Sequence, residues 1–281
     1  MKRPNGSVGI LRRIGAVLCA VALLVAPALL SGCSRTQAGT ILAGSTSVQP
    51  FAEVLAEEYM TLHPGTSIDI QGGGSAAGIM AAQNGTADIG MSSRSLNDTE
   101  KGLWSVEIAR DGLAIVVNPA NPVQGLTTAQ VRDIYSAAVT NWSQLGGHDA
   151  KIHVITREEG SGTRSAFESL LMGKVQITPK AIVQDSNGAV RQLVTDDPDA
   201  IGFISLGLVT DKVKALDLDG VVPTDAHVVD GTYKLSRPFL FVAASEPTGQ
   251  AKDFVDFTLS AAGQKMLATE GLIPATVGAM P

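Results

Sequence analysis

The most constraining feature of this sequence is a turn rich in glycine and hydroxyl side chains that joins a strand candidate to a helix candidate. Residues 152–155 are mostly apolar, the tetrapeptide GSGT occupies 160–163, and apolar side chains recur at helical spacing over 167–171. A helix start presents free backbone N–H groups and the positive end of the helix dipole, both of which stabilise an anion. Because Arg157 precedes the turn, the stretch predicts an anion site at a helix start.

Three further turns of the same kind occur elsewhere in the chain. They lie at residues 44–48, 71–77 and 92–94, each directly after a short apolar run. Short strands that alternate with helices and are joined by tight turns are typical of an α/β fold. Ligands of open α/β sheets bind where strand ends lead into helices. We therefore expect an α/β chain whose ligand site lies at these turns.

The N-terminal segment has the pattern of a targeting sequence. Basic residues precede an apolar and small-residue run at 14–30, and the tetrapeptide LSGC closes the segment at Cys33. A run this short and alanine-rich is not expected to span a membrane. LSGC resembles a bacterial lipobox, at which cleavage leaves a lipidated, palmitate-bearing Cys33. We predict a lipoprotein signal peptide at 1–33 and a tether at 34–39, with an N-terminal anchor helix as the alternative.

Charge and cysteine content exclude several classes of protein. Removing the predicted signal takes away four basic and no acidic residues, which leaves 17 basic against 27 acidic residues, a net charge of −10 with histidine neutral. A general basic face for nucleic acid is therefore not expected, and an anion site would depend on locally aimed donors. With Cys19 lost alongside the signal, no disulfide or cysteine zinc site is possible, and no histidine pair has metal-ligand spacing.

Enzyme motifs are not matched by the glycine-rich turns. The GGGS at 72–75 does not fit G-x-G-x-x-G, because Ala77 stands where the third glycine is required, and no P-loop sequence occurs. Ser161 lies in GSG, not in the G-x-S-x-G of a hydrolase. We predict no catalytic residue, no cofactor and no metal, although a Ser/His/Asp arrangement stays open at this level.

Six stretches together resemble a known family. In order they are AGSTSVQP, IQGGGSAAGI, ADIGMSSRSL, TREEGSGTRSAF, DSNGAV and AIGFISLG. They resemble the PstS family, the periplasmic phosphate-binding lipoproteins of Pst-type ABC importers, from about Thr40 to the last helix candidate. The resemblance implies a type II periplasmic-binding-protein fold, with two α/β lobes, two crossing segments near 116–119 and 230–237, and one phosphate in the cleft. Lobe 1 would comprise 40–116 and 235–281, and lobe 2 would comprise 117–234.

The resemblance also implies which residues bind phosphate. The set is Thr46 and Ser47 from the first turn, Ser75 from the second, Ser93 and Arg94 from the third, and Arg157, Ser161, Gly162 and Thr163 from the fourth. Glu159 is implied as the acid that supports Arg157. The best-studied branch of the family has an aspartate after the serine of the third turn, and that acid accepts the proton of hydrogen phosphate.

The third turn of this chain departs from that pattern. Ser93 and Arg94 stand there, as in a second branch of the family, and an arginine cannot accept a proton. Discrimination between phosphate and sulfate therefore cannot be assigned to this turn. The acids that could replace the aspartate are Asp88, Glu158 and Asp185.

The implied function is capture of inorganic phosphate and its delivery to the permease subunits of an ABC importer. The protein is expected to be a monomer, anchored by lipid on the extracytoplasmic side of the cell membrane, without nucleic-acid partners. Two alternatives remain at this stage. One is a binding protein for another tetrahedral oxyanion such as sulfate, and the other, from a different class, is a phosphatase or phosphate sensor.

Overall fold

Residues 39–275 are described by a computed structural model of the protein. The predicted signal peptide at 1–33, the lipidation site Cys33 and most of the tether at 34–39 lie outside this part of the chain and stay predictions. Between residues 39 and 275, no helix combines the length and the apolar character that crossing a membrane requires.

Strands and helices alternate along most of the described chain, which confirms the α/β prediction. The strands are β1 (Thr40–Gly44), β2 (Ile68–Gly72), β3 (Ile89–Ser92), β4 (Trp104–Val117), β5 (Gly125–Leu126), β6 (His153–Arg157), β7 (Ile182–Gln184), β8 (Ala200–Ser205), β9 (Lys214–Ala215), β10 (Asp217–Leu218), β11 (Ser236–Ala243) and β12 (Ile273–Pro274). The helices are α1 (Gln49–Leu62), α2 (Ser75–Gln83), α3 (Thr128–Tyr135), α4 (Gly162–Phe167), α5 (Asn187–Asp196), α6 (Asp225–Val229), α7 (Gly249–Leu259) and α8 (Ala261–Thr269).

Helix α1 illustrates how the sequence specifies its elements. Pro50 lies in its first turn, where a fixed φ suits the helix and the missing N–H has no intrahelical partner to lose. Phe51, Leu55 and Tyr59 recur every four residues, and all three are buried in one hydrophobic core. The spacing of the apolar residues therefore determines which face of α1 packs on the sheet.

The first lobe is built on strands in the order β2-β1-β3-β11-β4. β1 pairs in parallel with β2 and β3, whereas β11 is antiparallel to both of its neighbours. The carboxyl ends of β1, β2 and β3 therefore lie on the same edge of the sheet. Three of the four predicted turns follow these strand ends, which brings them close together.

The second lobe continues the strand order as β4-β8-β6-β7. β8 is antiparallel to β4 and parallel to β6, and β6 is parallel to β7. Its core contains Tyr135, Phe167 and Phe203, and the rings of Phe167 and Phe203 stack with centroids 4.2 Å apart. The chain leaves β6 and β7 at one edge to enter α4 and α5.

Strand β4 belongs to both lobes. Its residues 104–112 pair with β11, whereas 113–117 pair with β8. The second crossing segment runs beside it, since the N–H of Leu113 donates to the carbonyl oxygen of Leu235 at 2.9 Å. The two lobes are thus connected by two adjacent, hydrogen-bonded segments.

These contacts suggest a lobe boundary different from the one expected between residues 116 and 117. Leu113 and Val117 are buried in the core of the second lobe together with Leu235, whereas Ala109 and Phe239 are buried in the core of the first. We therefore propose that the chain crosses between the lobes at residues 111–112 and 236–237. The residues of β4 before the crossing are mixed, with Glu107, Arg110 and Asp111 among apolar side chains, and the strand is continuously apolar only from Leu113 onward.

Candidate anion site

The four predicted turns meet between the two hydrophobic cores. The Ser47 and Thr163 hydroxyl oxygens, one from each lobe, lie 2.7 Å apart. The N–H of Ala76, in the first turn of α2, donates to the carbonyl oxygen of Gly160 at 3.0 Å. The starts of α1, α2 and α4 and the turn after β3 therefore surround one buried polar cluster, and the start of α5, which the prediction did not include, joins them.

The hydroxyl of Ser47 is the most connected group of this cluster. It accepts from Asn187 Nδ2 at 2.8 Å and from Arg237 Nη2 at 3.1 Å, in addition to its contact with Thr163. The turn that holds it is closed by Ser45, whose Oγ accepts from the N–H of Ser47 at 3.2 Å. Ser47 is 1 % exposed, so these partners replace the water that its hydroxyl has lost.

The glycine-rich turn after β2 delivers Ser75 to the same cluster. Gly74 has a φ of +89°, a conformation that L side chains rarely adopt, and it allows the chain to turn directly into α2. Ser75 Oγ accepts from the N–H of Ser93 at 3.0 Å and lies 3.3 Å from Ser93 Oγ. Both serines are fully buried. The second and third turns therefore form one hydroxyl pair.

The turn after β6 packs tightly against that pair. The Ser161 hydroxyl caps α4 by accepting from the N–H of Arg164 at 3.2 Å. Gly162 follows, and a Cβ at this position would overlap Ser75 Oγ and lie 2.6 Å from Ser93 Oγ. Glycine is therefore required for the two lobes to approach this closely.

Arg157 ends β6 and is buried at the centre of the cluster. Its Nε and Nη2 donate to the two carboxylate oxygens of Glu158 at 2.9 and 2.8 Å, and Nη2 also reaches Thr46 Oγ1 at 3.3 Å. Its Nη1 is buried and has no protein partner. The guanidinium is thus held through Nε and Nη2, and its third nitrogen is left with an unused donor.

The assignment of Glu159 as the acid that supports Arg157 was wrong. Glu159 is exposed, whereas the side chain of Glu158 folds back onto the guanidinium. The chain turns immediately after β6, since the N–H of Ser161 donates to the carbonyl oxygen of Glu158. That turn puts Glu159 at its exposed tip, so the supporting carboxylate is the residue before it.

Arg94 has its guanidinium directed away from the hydroxyl cluster. Its Nη1 and Nη2 donate to the carboxylate of Glu100 at 2.7 and 2.8 Å, and Nη1 also donates to the carbonyl oxygen of Ser95. This charge-assisted contact lowers the pKa of Glu100 below its usual value. The geometry does not bring Arg94 together with the other predicted residues, and we leave it out of the proposed site.

None of the three acids that could replace the missing aspartate has a carboxylate that is both buried in the cluster and without a hydrogen-bond partner. Asp88 accepts from the N–H of Ile41 at 2.8 Å and is exposed. Asp185 is also exposed. Glu158 has both oxygens bonded to Arg157.

Sequence analysis missed a second buried arginine. Arg237 donates from Nε and Nη2 to Asp111 Oδ2 at 3.0 and 2.9 Å, and both side chains are almost completely buried. The Ser205 hydroxyl donates to Asp111 Oδ1 at 2.8 Å. Burial raises the pKa of Asp111, and Arg237 opposes that rise. The feature of the sequence that could have indicated Arg237 is its position as the single charged residue of the mostly apolar run 235–243.

Asn187 is the other functional residue that the prediction did not include. It begins α5 within the stretch DSNGAV, which was quoted for the family resemblance alone. Its Nδ2 contacts the hydroxyls of Ser47 and Thr46, and its Oδ1 accepts from the N–H of Ser205 at 3.1 Å. It thereby links the start of α5 to the first turn of the opposite lobe.

The chain has two α/β lobes, and their helix starts and a buried guanidinium meet at one polar cluster. This arrangement defines a substrate-binding protein of the periplasmic-binding-protein type. The family model of the PBP superfamily domain matches residues 32–262. Within this superfamily, the chain belongs to the PstS family of phosphate-binding proteins. It is 32% identical over 251 residues to the phosphate-binding protein PstS of Bacillus subtilis, covering 87% of this chain and 83% of that protein.

Solved structures agree with the family assignment. A proposed phosphate ABC transporter substrate-binding protein from Clostridium perfringens, crystallised with bound phosphate, is 43% identical with a TM-score of 0.82, covering 85% of this chain and all of that one (100%). An ABC-type phosphate transport receptor from Vibrio cholerae is 44% identical with a TM-score of 0.70, covering 84% and 100%. The predictions of a two-lobed type II fold and of the PstS family are confirmed.

Proposed function

We propose that this chain captures inorganic phosphate between its lobes and supplies it to an ABC importer. The observation that carries the proposal is the unpartnered Nη1 of Arg157, buried among hydroxyls that come from both lobes. A small dianion loses its hydration shell in a closed cleft, so each lost water contact must be replaced by a protein donor. Hydroxyls, helix-start N–H groups and a guanidinium supply donors of that kind.

The residues proposed to contact phosphate are those that meet in the hydroxyl cluster. They are Thr46, Ser47, Ser75, Ser93, Arg157, Ser161, Gly162 and Thr163, with Glu158 as the support of Arg157. Because these donors come from both lobes, a bound anion favours the closed arrangement over an open one. A closed, loaded form is what a permease could distinguish from an empty one.

Calorimetric titration of the protein with phosphate tests this function. We expect phosphate to bind at a stoichiometry of one, and competition by an equimolar amount of sulfate decides between phosphate and another tetrahedral oxyanion. Displacement by sulfate would identify the protein as a binding protein for tetrahedral oxyanions in general. The absence of heat or of a phosphate-dependent rise in melting temperature would contradict the proposal.

Localisation and partners follow from the family and from the N-terminal sequence. We propose an extracytoplasmic monomer anchored through a lipid on Cys33 and working with permease subunits. Transfer of a Cys33→Ala variant from the membrane fraction to the soluble fraction would support the anchor.

The family is one of transport substrate-binding proteins, and we propose no catalytic role. Turnover of a phosphomonoester by the purified protein would contradict that proposal.

The structure makes a prediction about the two adjacent acids Glu158 and Glu159. We expect Glu158→Gln to weaken phosphate binding by several-fold, because the amide has one acceptor oxygen where the carboxylate has two, and so loses the two-point contact that orients Arg157. Glu159→Gln removes the same charge from the same turn and is expected to leave affinity unchanged. If calorimetry shows that the two substitutions weaken binding equally, the negative charge of the turn determines phosphate affinity and the orientation of Arg157 does not.

A further inference from the structure

Arg237 and Asp111 form an ion pair at the point where the chain crosses between the lobes. The two residues are direct cross-strand partners in the antiparallel register of β11 and β4. Both lie in the crossing that we place at 111–112 and 236–237. Their contact is thus made by the two segments that connect the lobes, and no other element is needed to form it.

Arg237 also reaches the hydroxyl cluster. Its Nη2 lies 3.1 Å from Ser47 Oγ, while Nη2 of Arg157 lies 3.3 Å from Oγ1 of the adjacent Thr46. The two guanidinium groups therefore approach consecutive residues of one turn. Burial lowers the pKa of Arg237, Asp111 opposes that, and the charge of Arg157 lowers it further. The two cations are close enough to repel each other.

Each of these arginines keeps one buried nitrogen without a protein partner. In Arg157 and in Arg237 that nitrogen is Nη1. A buried donor without a partner is unfavourable, and two buried cations that repel each other are more so. Their carboxylates, Glu158 and Asp111, contact the opposite side of each guanidinium through Nε and Nη2. A dianion between the two Nη1 atoms would satisfy both donors and offset the repulsion.

We propose that Arg237 is a second ligand-binding guanidinium, which contacts the bound phosphate together with Arg157, and that Asp111 is its positioning residue. The proposal rests on the proposed function and adds a specificity-determining residue to that site. Two forked cations favour a doubly charged tetrahedral oxyanion over a singly charged one.

Asp111 leaves Arg237 with a single direction in which to donate. Nε and Nη2 are bound to the carboxylate, the Ser205 hydroxyl fixes the other carboxylate oxygen, and the Phe239 ring lies 5.4 Å from the guanidinium carbon. Only Nη1 is left for a ligand. Because Arg237 belongs to a crossing segment, the ligand would contact the connection between the lobes as well as the lobes themselves.

The competing explanation is that Arg237 only neutralises Asp111. Removing one member of a buried ion pair leaves an unpaired charge and destabilises a protein whatever the role of the pair. A single substitution therefore cannot separate the two explanations. Replacing both members by neutral residues can, because the double variant has no unpaired charge.

The experiment compares Arg237→Met, Asp111→Asn and the double variant in the full-length protein. Melting temperature reports folding, and calorimetry with inorganic phosphate reports binding. We expect the double variant to recover much of the stability that Arg237→Met loses, while its phosphate affinity stays about a hundredfold below that of the parent protein. Asp111→Asn alone should weaken binding, but should have no further effect when Arg237 is already absent. A stable double variant that binds phosphate like the parent overturns the proposal.

A second variant and a control keep the test decisive. Arg237→Lys retains the charge that faces Asp111 but replaces the three guanidinium nitrogens by one, and we expect it to fold and to bind phosphate about tenfold more weakly. Parent-like affinity in this variant also overturns the proposal. The control is Arg110→Met with Glu107→Gln, an exposed pair on the same strand, which should bind like the parent. If the parent protein does not bind phosphate, the proposed function is wrong. If the parent binds phosphate and the double variant binds it equally well, only the proposed role of Arg237 is wrong.

Discussion

Replacing Gly162 by alanine is expected to reduce phosphate affinity by about 10- to 100-fold without unfolding the protein. The new methyl group would overlap the Ser75 hydroxyl and lie 2.6 Å from that of Ser93, both on the opposite lobe and both fully buried. Overpacking of this kind costs about 1–3 kcal/mol. Since the overlap exists only when the lobes meet, the cost falls on the closed form. Calorimetry with phosphate, together with small-angle scattering for the extent of closure, measures it.

Gly188 provides a matched control for this substitution. It lies in the first turn of α5, at another helix start of the same lobe, and a Cβ there would meet no atom within 4 Å. We expect Gly188→Ala to bind phosphate like the parent protein and to melt at a similar temperature. If both alanine variants lose affinity equally, backbone stiffening at helix starts explains the loss and the steric argument fails.

Replacing Arg157 by methionine is expected to weaken phosphate binding by about 2–5 kcal/mol, the range found when one member of a buried charge contact is removed. Methionine keeps most of the buried apolar volume and removes every donor. The protein should remain folded, because the carboxylate left behind, Glu158, is 29% exposed and can be hydrated. Phosphate titration of the purified variant, with its melting temperature as the check on folding, gives the result.

Arg132→Met is the control for the Arg157 variant. Arg132 is partly buried, and it donates to the carbonyl oxygen of Leu171 inside the second lobe. Its loss should lower stability and leave phosphate affinity unchanged. An Arg157 variant that binds phosphate as tightly as this control would mean that Arg157 has a structural role only.

The parts of the site that could be predicted are those with a local signal. Ser47, Ser75 and Thr163 each lie where a strand leads into the start of a helix, so the sequence places all three near a strand end. Parallel pairing then brings the ends of β1, β2 and β3 to one edge. The alternation of strands and helices, together with the residue types of the turns, was therefore enough to predict that these turns come close together.

The parts that could not be predicted depend on pairing between distant residues or on the direction of a turn. Asp111 and Arg237 are 126 positions apart and meet because of the antiparallel register of two crossing strands. Glu158 and Glu159 are equivalent in composition, and only the course of the turn decides which one faces Arg157. Arg94 has the right residue type at the right strand end, but Glu100, six residues later, binds its guanidinium.

The position of β11 has a consequence for the order in which the molecule can assemble. β11 lies between β3 and β4, although in the sequence about 140 residues separate it from β3 and about 120 from β4. The second lobe uses one continuous stretch of chain apart from its contacts with the crossing segment. The first lobe, in contrast, has a gap in the middle of its sheet until the strand that ends at Ala243 is available. A growing chain can therefore complete its second lobe before its first, and the anion site, which needs both, is among the last features to form.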